Sequence, residues 1–181
     1  MRRAGVRQRA QSDMYIIRNE QPEDVPGVRH VNMTAFETSL EADLVDALRQ
    51  HVDSLISIVA VENETIVGHI LFSPVTLSSH PDMPIMGLAP HAVVPERQRQ
   101  GIGSARVLAG PEECRRSGIV AVVVLGHAEY YARFGFAPAS VFTLVSEYDV
   151  PDDVCMAIEL ETAVLKGKSG TIGYHAAFAT V

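Results

Sequence analysis

Seven consecutive apolar residues, most of them β-branched, run from Ile119 to Leu125 (Ile119-Val120-Ala121-Val122-Val123-Val124-Leu125). A half-exposed strand alternates apolar with polar residues, so a run without alternation reads as a strand covered on both faces. The flanking sequence offers the covering elements. Tyr15-Ile16-Ile17 reads as a first strand, and Pro22-Glu23-Asp24 as a helix start with its acids at the positive end. That helix continues from Val25 to Phe36, and Leu40, Leu44, Val45 and Leu48 recur at helical spacing within a second, Ser39 to Arg49. Ile56 to Val61 and Thr65 to Phe72 form a hairpin around Glu62-Asn63-Glu64. Ser78 to Met83 reads as a polar loop, and Ile85 to Val94 as a strand bulged at Pro90. Gly101 to Ser117 reads as a helix with Ile102, Ala105, Leu108 and Ala109 on one side and a kink or break at Pro111. Glu129 to Phe134 is a short helix ended by Gly135, and Phe142 to Val145 and Val154 to Leu160 are later strands. The order predicts an α/β (α+β) domain around one mixed sheet.

Charge excludes some partners. The 181 residues carry a net −7. Residues 1–13 hold Arg2, Arg3, Arg7 and Arg9 against Asp13, a local +3 that leaves −10 on the rest. Residues 1–13 read as a basic, disordered extension or the product of an early start codon, with the domain spanning 14–181. An acidic domain repels a phosphate backbone, and 6% aromatic residues without tryptophan make a poor base-stacking platform, so nucleic acid is not the expected partner. Cys114 and Cys155 are too few and too far apart for a disulfide framework or a metal knuckle, and the expectation is a reducing cytoplasm with no metal site. No apolar stretch approaches the roughly 18 residues of a spanning helix, and Met1 to Ser12 lacks the apolar core of a secretory signal, so no membrane association is expected.

The segment Val93-Val94-Pro95-Glu96-Arg97-Gln98-Arg99-Gln100-Gly101-Ile102-Gly103-Ser104 leads a strand through a polar loop into a helix. Backbone N–H groups free of bulky side chains, at the positive end of a helix, cradle anions, and a pyrophosphate suits a loop of this length. No lysine follows Gly103, which excludes the Walker loop, and Arg106 stands where a dinucleotide fingerprint needs its third glycine.

Gln98-x-x-Gly101-x-Gly103 resembles the Gln/Arg-x-x-Gly-x-Gly/Ala signature of the GCN5-related N-acetyltransferases (GNAT). Glu129-Tyr130-Tyr131-Ala132-Arg133-Phe134-Gly135-Phe136 resembles their tyrosine-bearing helix. More narrowly, Leu88-Ala89-Pro90, Val124-Leu125-Gly126-His127, and Gly170-Thr171 with Tyr174-His175 resemble the bacterial YhbS-type subgroup. The resemblance covers about residues 14 to 178. It implies a sheet whose fourth and fifth strands, here Ile85–Val94 and Ile119–Leu125, splay apart. It further implies acetyl-CoA as cofactor, with pantetheine lying along the backbone of Val93 and Val94. The pyrophosphate would sit on the amides of Gln98, Arg99, Gln100, Gly101, Ile102, Gly103 and Ser104. The implied reaction is direct acetyl transfer to a primary amine of a small molecule or peptide, with Tyr131 as general acid and room for a homodimer. The rival reading is an inactive acyl-CoA-binding sensor on the same fold.

Other polar residues carry bland alternatives. His127 reads equally as a base, a cofactor contact or a solvated cap, and the family's usual Asn near it is missing. His69 and His91 read as packed or solvent-facing, Glu37 as a solvated carboxylate, Tyr130 as a core residue and Cys114 as an idle buried thiol. Arg97, Arg99, Arg115 and Arg116 read as charged surface.

Overall fold

Local pairing signals start the sheet and long-range pairing finishes it. The structure is a computed structural model that describes residues 15–181; the reading of residues 1–13 as a basic extension lies outside them. Ile16–Asn19 (β1) pairs antiparallel with Ile56–Glu62 (β2). Asn63 and Glu64, with φ of 47° and 66°, turn β2 into Thr65–Leu77 (β3), as a two-residue hairpin turn requires. β3 pairs with His80–Val93 (β4), and Leu77 faces His80 across Ser78-Ser79. Most of the loop expected at Ser78 to Met83 is therefore strand. The reason is distant in sequence: Gly170–Gly173 (β9) pairs with Thr76 and Leu77, and the Ser78 amide donates to Thr171 O at 3.0 Å.

Between the pairs Ile70–His91 and Phe72–Leu88, β4 holds one more residue than β3. The extra residue falls at Ala89-Pro90, the bulge predicted for Pro90. Ala121–Leu125 (β5) lies parallel to β4 from Ile85–Ala121 to Leu88–Val124, and there the pairing stops. The two strands part at the bulge, which gives the expected splay. β5 continues to Cys155–Glu159 (β8), itself paired to Ala137–Pro138 (β6). Leu144–Ser146 (β7) runs parallel to β9. The strand expected from Phe142 begins only at Leu144, because Ala139–Phe142 is a 3-10 turn closed by Thr143 at φ 62°.

Both faces of β5 are covered, as its composition demands: Val122 and Val124 join the core cluster on one face, and Ala121 and Val123 pack with Leu144, Leu165 and Ile172 on the other. Val25–Ala35 (α1) and Leu40–His51 (α2) pack Val28, Val31, Leu44, Val45 and Leu48 against Val59 and Leu71 on one side of the sheet. Ile102–Arg116 (α3) and Ala128–Ala132 (α4) bring Val107, Cys114 and Tyr131 onto Ile70, Phe72, Leu88, Val122 and Val124 on the other. The inward face of α3 differs from expectation. Leu108 points outward at 64% exposure, while Ile102, Arg106, Val107, Gly110, Pro111 and Cys114 are buried. An arginine at an inward position hid the true stripe. The helix also continues through Pro111 instead of breaking. Pro111 removes one backbone donor, but its ring is buried and Gly110 admits Phe72, whose Cζ would lie 2.3 Å from a Cβ there. Tertiary packing holds this turn where local hydrogen bonding is short by one.

Candidate active site

After β4, the chain makes a 3-10 turn at Pro95–Arg97 that is tied back to the first hairpin by Arg97 Nε on Glu62 Oε2 at 2.8 Å. Arg99 (φ 61°) and Gly101 (φ 83°) both adopt left-handed backbone, which bends the loop into a concavity of the kind that gathers N–H groups. Gly101 is the residue before α3, and the first helical bond runs from the Ala105 amide to Gly101 O at 3.0 Å. The amides of Ile102, Gly103 and Ser104 are thus the donors that a helix start leaves unmatched. Gly103 has a steric reason to be glycine. A Cβ there would meet Tyr130 Oη at 3.2 Å and the His91 ring at 3.3 Å. A side chain here would press on Tyr130 and His91, so the bare backbone lets the helix start sit close to both rings.

The predicted loop residues are brought together, with distinct roles. The Gln98 side-chain amide donates to Val93 O at 3.1 Å, and that of Gln100 to Glu96 O at 3.1 Å. The Val94 amide donates to Val67 O of β3 at 3.0 Å. Alternation along an antiparallel ladder then turns the N–H and C=O of Val93 to the opposite edge, toward the gap left by β5. Val93, rather than Val94, presents backbone to the cleft. Arg115 and Arg116 lie at the far end of α3, paired with Glu112 and Glu113, away from the loop.

Tyr131 stands at the root of the cleft. It is 7% exposed and joins the core cluster of Leu88 and Val124, the last pair before the strands part. Its ring lies on the backbone of Gly126, the residue after β5, where a Cβ would approach Tyr131 Cε2 to 2.4 Å. Tyr130 and Phe136 meet the ring edge to face, with centroids 5.0 and 5.5 Å away. Burial, and secondarily Tyr130, hold the Tyr131 hydroxyl above the ordinary phenol range, so it keeps its proton at neutral pH. Glu37 and His127 are exposed. Cys114 is buried, and burial with help from Glu113 pushes its thiol up to about 12, leaving little nucleophilic thiolate.

Three polar groups are packed away behind the loop, and His69 and His91 take the packed one of the two readings their sequence allowed. Arg106 was legible only as a broken glycine motif. It is wholly buried, lies over the backbone of Gly68, and donates to Ala92 O at 2.8 Å. Burial lowers its pKa to about 10. His91, beside Gly103, has a buried Nε2 without a hydrogen-bond partner among the described residues. Burial, then the Arg106 charge, lowers its pKa to about 3. His69 is wholly buried and linked in a chain: Asn32 Nδ2 donates to its Nδ1 at 3.0 Å, and its Nε2 reaches Ser57 Oγ at 3.0 Å. Ser57 in turn donates to Glu20, the partner of Arg49. Burial holds His69 far below its ordinary range.

Both histidines are therefore neutral in the folded state and take a proton only on unfolding. The unfolded chain binds more protons below its histidine pKa of 6.5, so this part of the stability is complete above that pH and is lost as pH falls toward about 3. Between pH 7 and 5 each histidine is expected to cost ~1–2 kcal/mol, read as a falling denaturation midpoint. His69→Gln combined with His91→Gln should flatten that profile; an equally steep profile would assign the acid sensitivity to other groups.

Residues 16–139 match the family of acetyltransferase (GNAT) domains. YjhQ, an uncharacterized N-acetyltransferase of Escherichia coli strain K12, is 38% identical over 146 residues, covering 77% of this chain and 81% of its own. YhbS, an uncharacterized N-acetyltransferase of the same strain, is 32% identical over 164 residues, covering 90% and 98%. The crystal structure of E. coli YhbS in complex with CoA aligns with a TM-score of 0.87 at 32% identity over 92% of each chain. A GNAT family acetyltransferase from Brucella melitensis in complex with acetyl-CoA aligns with a TM-score of 0.75 at 31% identity, over 91% of this chain and 97% of that one.

Proposed function

The chain belongs to the GNAT acetyltransferase family, and from that premise we propose that it transfers an acetyl group from acetyl-CoA to a primary amine. The observation that carries the reading is the cleft itself: β4 and β5 part after Leu88–Val124, a glycine-lipped helix start lies beyond, and a buried tyrosine sits at the root. The cofactor complexes of the two structural relatives support acetyl-CoA as the ligand of this cleft.

When bound, acetyl-CoA supplies a thioester, and transfer exchanges its C–S bond for the C–N bond of an amide. The amides of Ile102, Gly103 and Ser104, with the bent backbone of Gln98 to Gly101, hold the pyrophosphate. Val93 offers its backbone N–H to pantetheine in the manner of an added strand, its carbonyl being held by the Gln98 side chain. This local array matters because the domain is acidic and its overall field opposes an anionic ligand. Tyr131 gives its proton to the departing sulfur, and the proton released by the amine restores the balance. No enzyme nucleophile is needed, in keeping with the inert thiol of Cys114. Two buried free thiols suit a reducing cytoplasm, and among the described residues no helix is long and apolar enough to cross a membrane.

Release of free thiol from acetyl-CoA over a panel of primary amines tests the reading. Amine-dependent release supports transfer. Tight cofactor binding with no release from any amine would instead establish an acyl-CoA sensor. Gly126→Val should act from beneath the tyrosine, pushing the ring out of line and lowering kcat ~10-fold or more with cofactor affinity little changed. A fully active variant would remove the ring's position from the mechanism.

A further inference from the structure

On the face of the sheet away from α3 and α4, a cavity of about 260 Å³ opens at the point where β4 and β5 part. Its floor is Leu88, Ala89 and Leu125, and its walls are Tyr148, Tyr174 and Phe178. The three rings come from separate late segments: Tyr148 follows β7, Tyr174 follows β9, and Phe178 lies in the 3-10 turn Ala176–Thr180. They form one wall, with Tyr174 centroids 5.4 Å from Tyr148 and 5.7 Å from Phe178. Tyr174 lies close over β4 at Gly87, its Cε1 3.4 Å from where a Cβ would be. Leu88 belongs both to this floor and to the core cluster of Tyr131, so the cavity and the proton donor flank the same point of the cleft.

None of the side chains that line the cavity, those of Val150 and Val181 included, carries a carboxylate or a cationic group. The nearby Glu147 is engaged, its Oε1 accepting from the Tyr174 amide at 2.5 Å. A second ammonium drawn in among these side chains would find no side-chain counter-ion in the lining, which is unfavourable. A single amine on an apolar body fits differently. The rings cover the body, and burial shifts the ammonium toward its neutral, nucleophilic form. The cavity would then do part of what a general base would otherwise have to do.

We propose that the aromatic cavity of Tyr148, Tyr174 and Phe178 selects as acceptor a small primary amine borne on one apolar group, aromatic or branched aliphatic, and excludes polyamines. The selection rests on the transfer reading above, whereas the binding it requires does not. The volume sets the scale, since a cavity of this size is slightly below the usual range for drug-sized ligands and suits a smaller molecule.

Two measurements test it with 2-phenylethylamine, isoamylamine and spermidine as probes. Calorimetric titration into CoA-saturated protein should show binding of the first two and none of spermidine. Thiol release should give kcat/KM at least ~10-fold higher for 2-phenylethylamine than for spermidine, a gap equal to about 1.4 kcal/mol. Phe178→Ala should raise KM for 2-phenylethylamine ~10-fold with kcat and CoA affinity little changed, and Tyr148→Ala, at a half-buried position, repeats the test should Phe178→Ala unfold. Binding of 2-phenylethylamine without thiol release would overturn the transferase reading and leave the cavity's selectivity standing. Preference for spermidine, or no binding of either apolar amine, would overturn the cavity assignment while leaving acetyl transfer intact.

Discussion

Gly103→Trp is expected to weaken acetyl-CoA binding by at least ~100-fold, equal to about 2.7 kcal/mol. The site leaves no room for the change. A Cβ at position 103 already comes within 3.2 Å of Tyr130 Oη and 3.3 Å of the His91 ring, so an indole must swing over the loop amides that would hold the pyrophosphate. Hydrogen bonds from backbone amides to a charged group are worth roughly 1.5–3 kcal/mol each, so losing even one or two accounts for the effect. Gly103→Ala should lie between wild type and Gly103→Trp, because a single methyl group at these distances needs only a small shift of its neighbours. Isothermal titration reads the series, and thermal melts confirm that both variants fold. Unchanged affinity in Gly103→Trp would place the pyrophosphate elsewhere.

Tyr131→Phe carries the second large effect, a fall in kcat of ~100-fold or more, the range expected when a positioned proton donor is removed. Phenylalanine keeps the ring that packs on Gly126 and meets Phe136, so Kd for acetyl-CoA should stay within about twofold. The divergence of kcat from Kd is the diagnostic feature. It follows from the position of Tyr131 at the root of the cleft, where it joins Leu88 and Val124 and lies distant in sequence from the loop proposed to hold the pyrophosphate. A full-rate variant would assign protonation of the sulfur to another group or to water.

The elements with a local cause were legible in the residues. The β-branched run at Ile119–Leu125 marked the doubly covered strand, Pro90 marked the bulge, and the glycines at 101 and 103 marked the helix start. The misread parts depend on contacts far apart in sequence. The hairpin through Ser78 to Met83 is held by β9, about 90 residues later, and nothing in its own polar composition signals a strand. The inward face of α3 was obscured because Arg106, a residue type that almost never enters a core unpaired, occupies it. Pro111 survives within the helix because Gly110 and Phe72 pack there, a tertiary effect that a proline rule cannot include. At the candidate site, the motif located the loop but could not separate Val93 from Val94. That distinction needs the ladder register with Val67 and Gly68. The aromatic cavity was harder still, since Tyr148, Tyr174 and Phe178 have no common spacing. Only Gly170-Thr171 with Tyr174-His175 drew attention to that part of the chain.

The assignment of cofactor binding to local backbone amides, in a domain whose net charge opposes an anion, can be read residue by residue. In a ¹⁵N–¹H correlation spectrum titrated with coenzyme A, the amides of Val93 and of Gln98 to Ser104 should shift together along one saturation curve. The Val94 amide, bonded to β3, should move least in that segment. Coenzyme A that binds while the amides of Gln98 to Ser104 stay still would contradict the account.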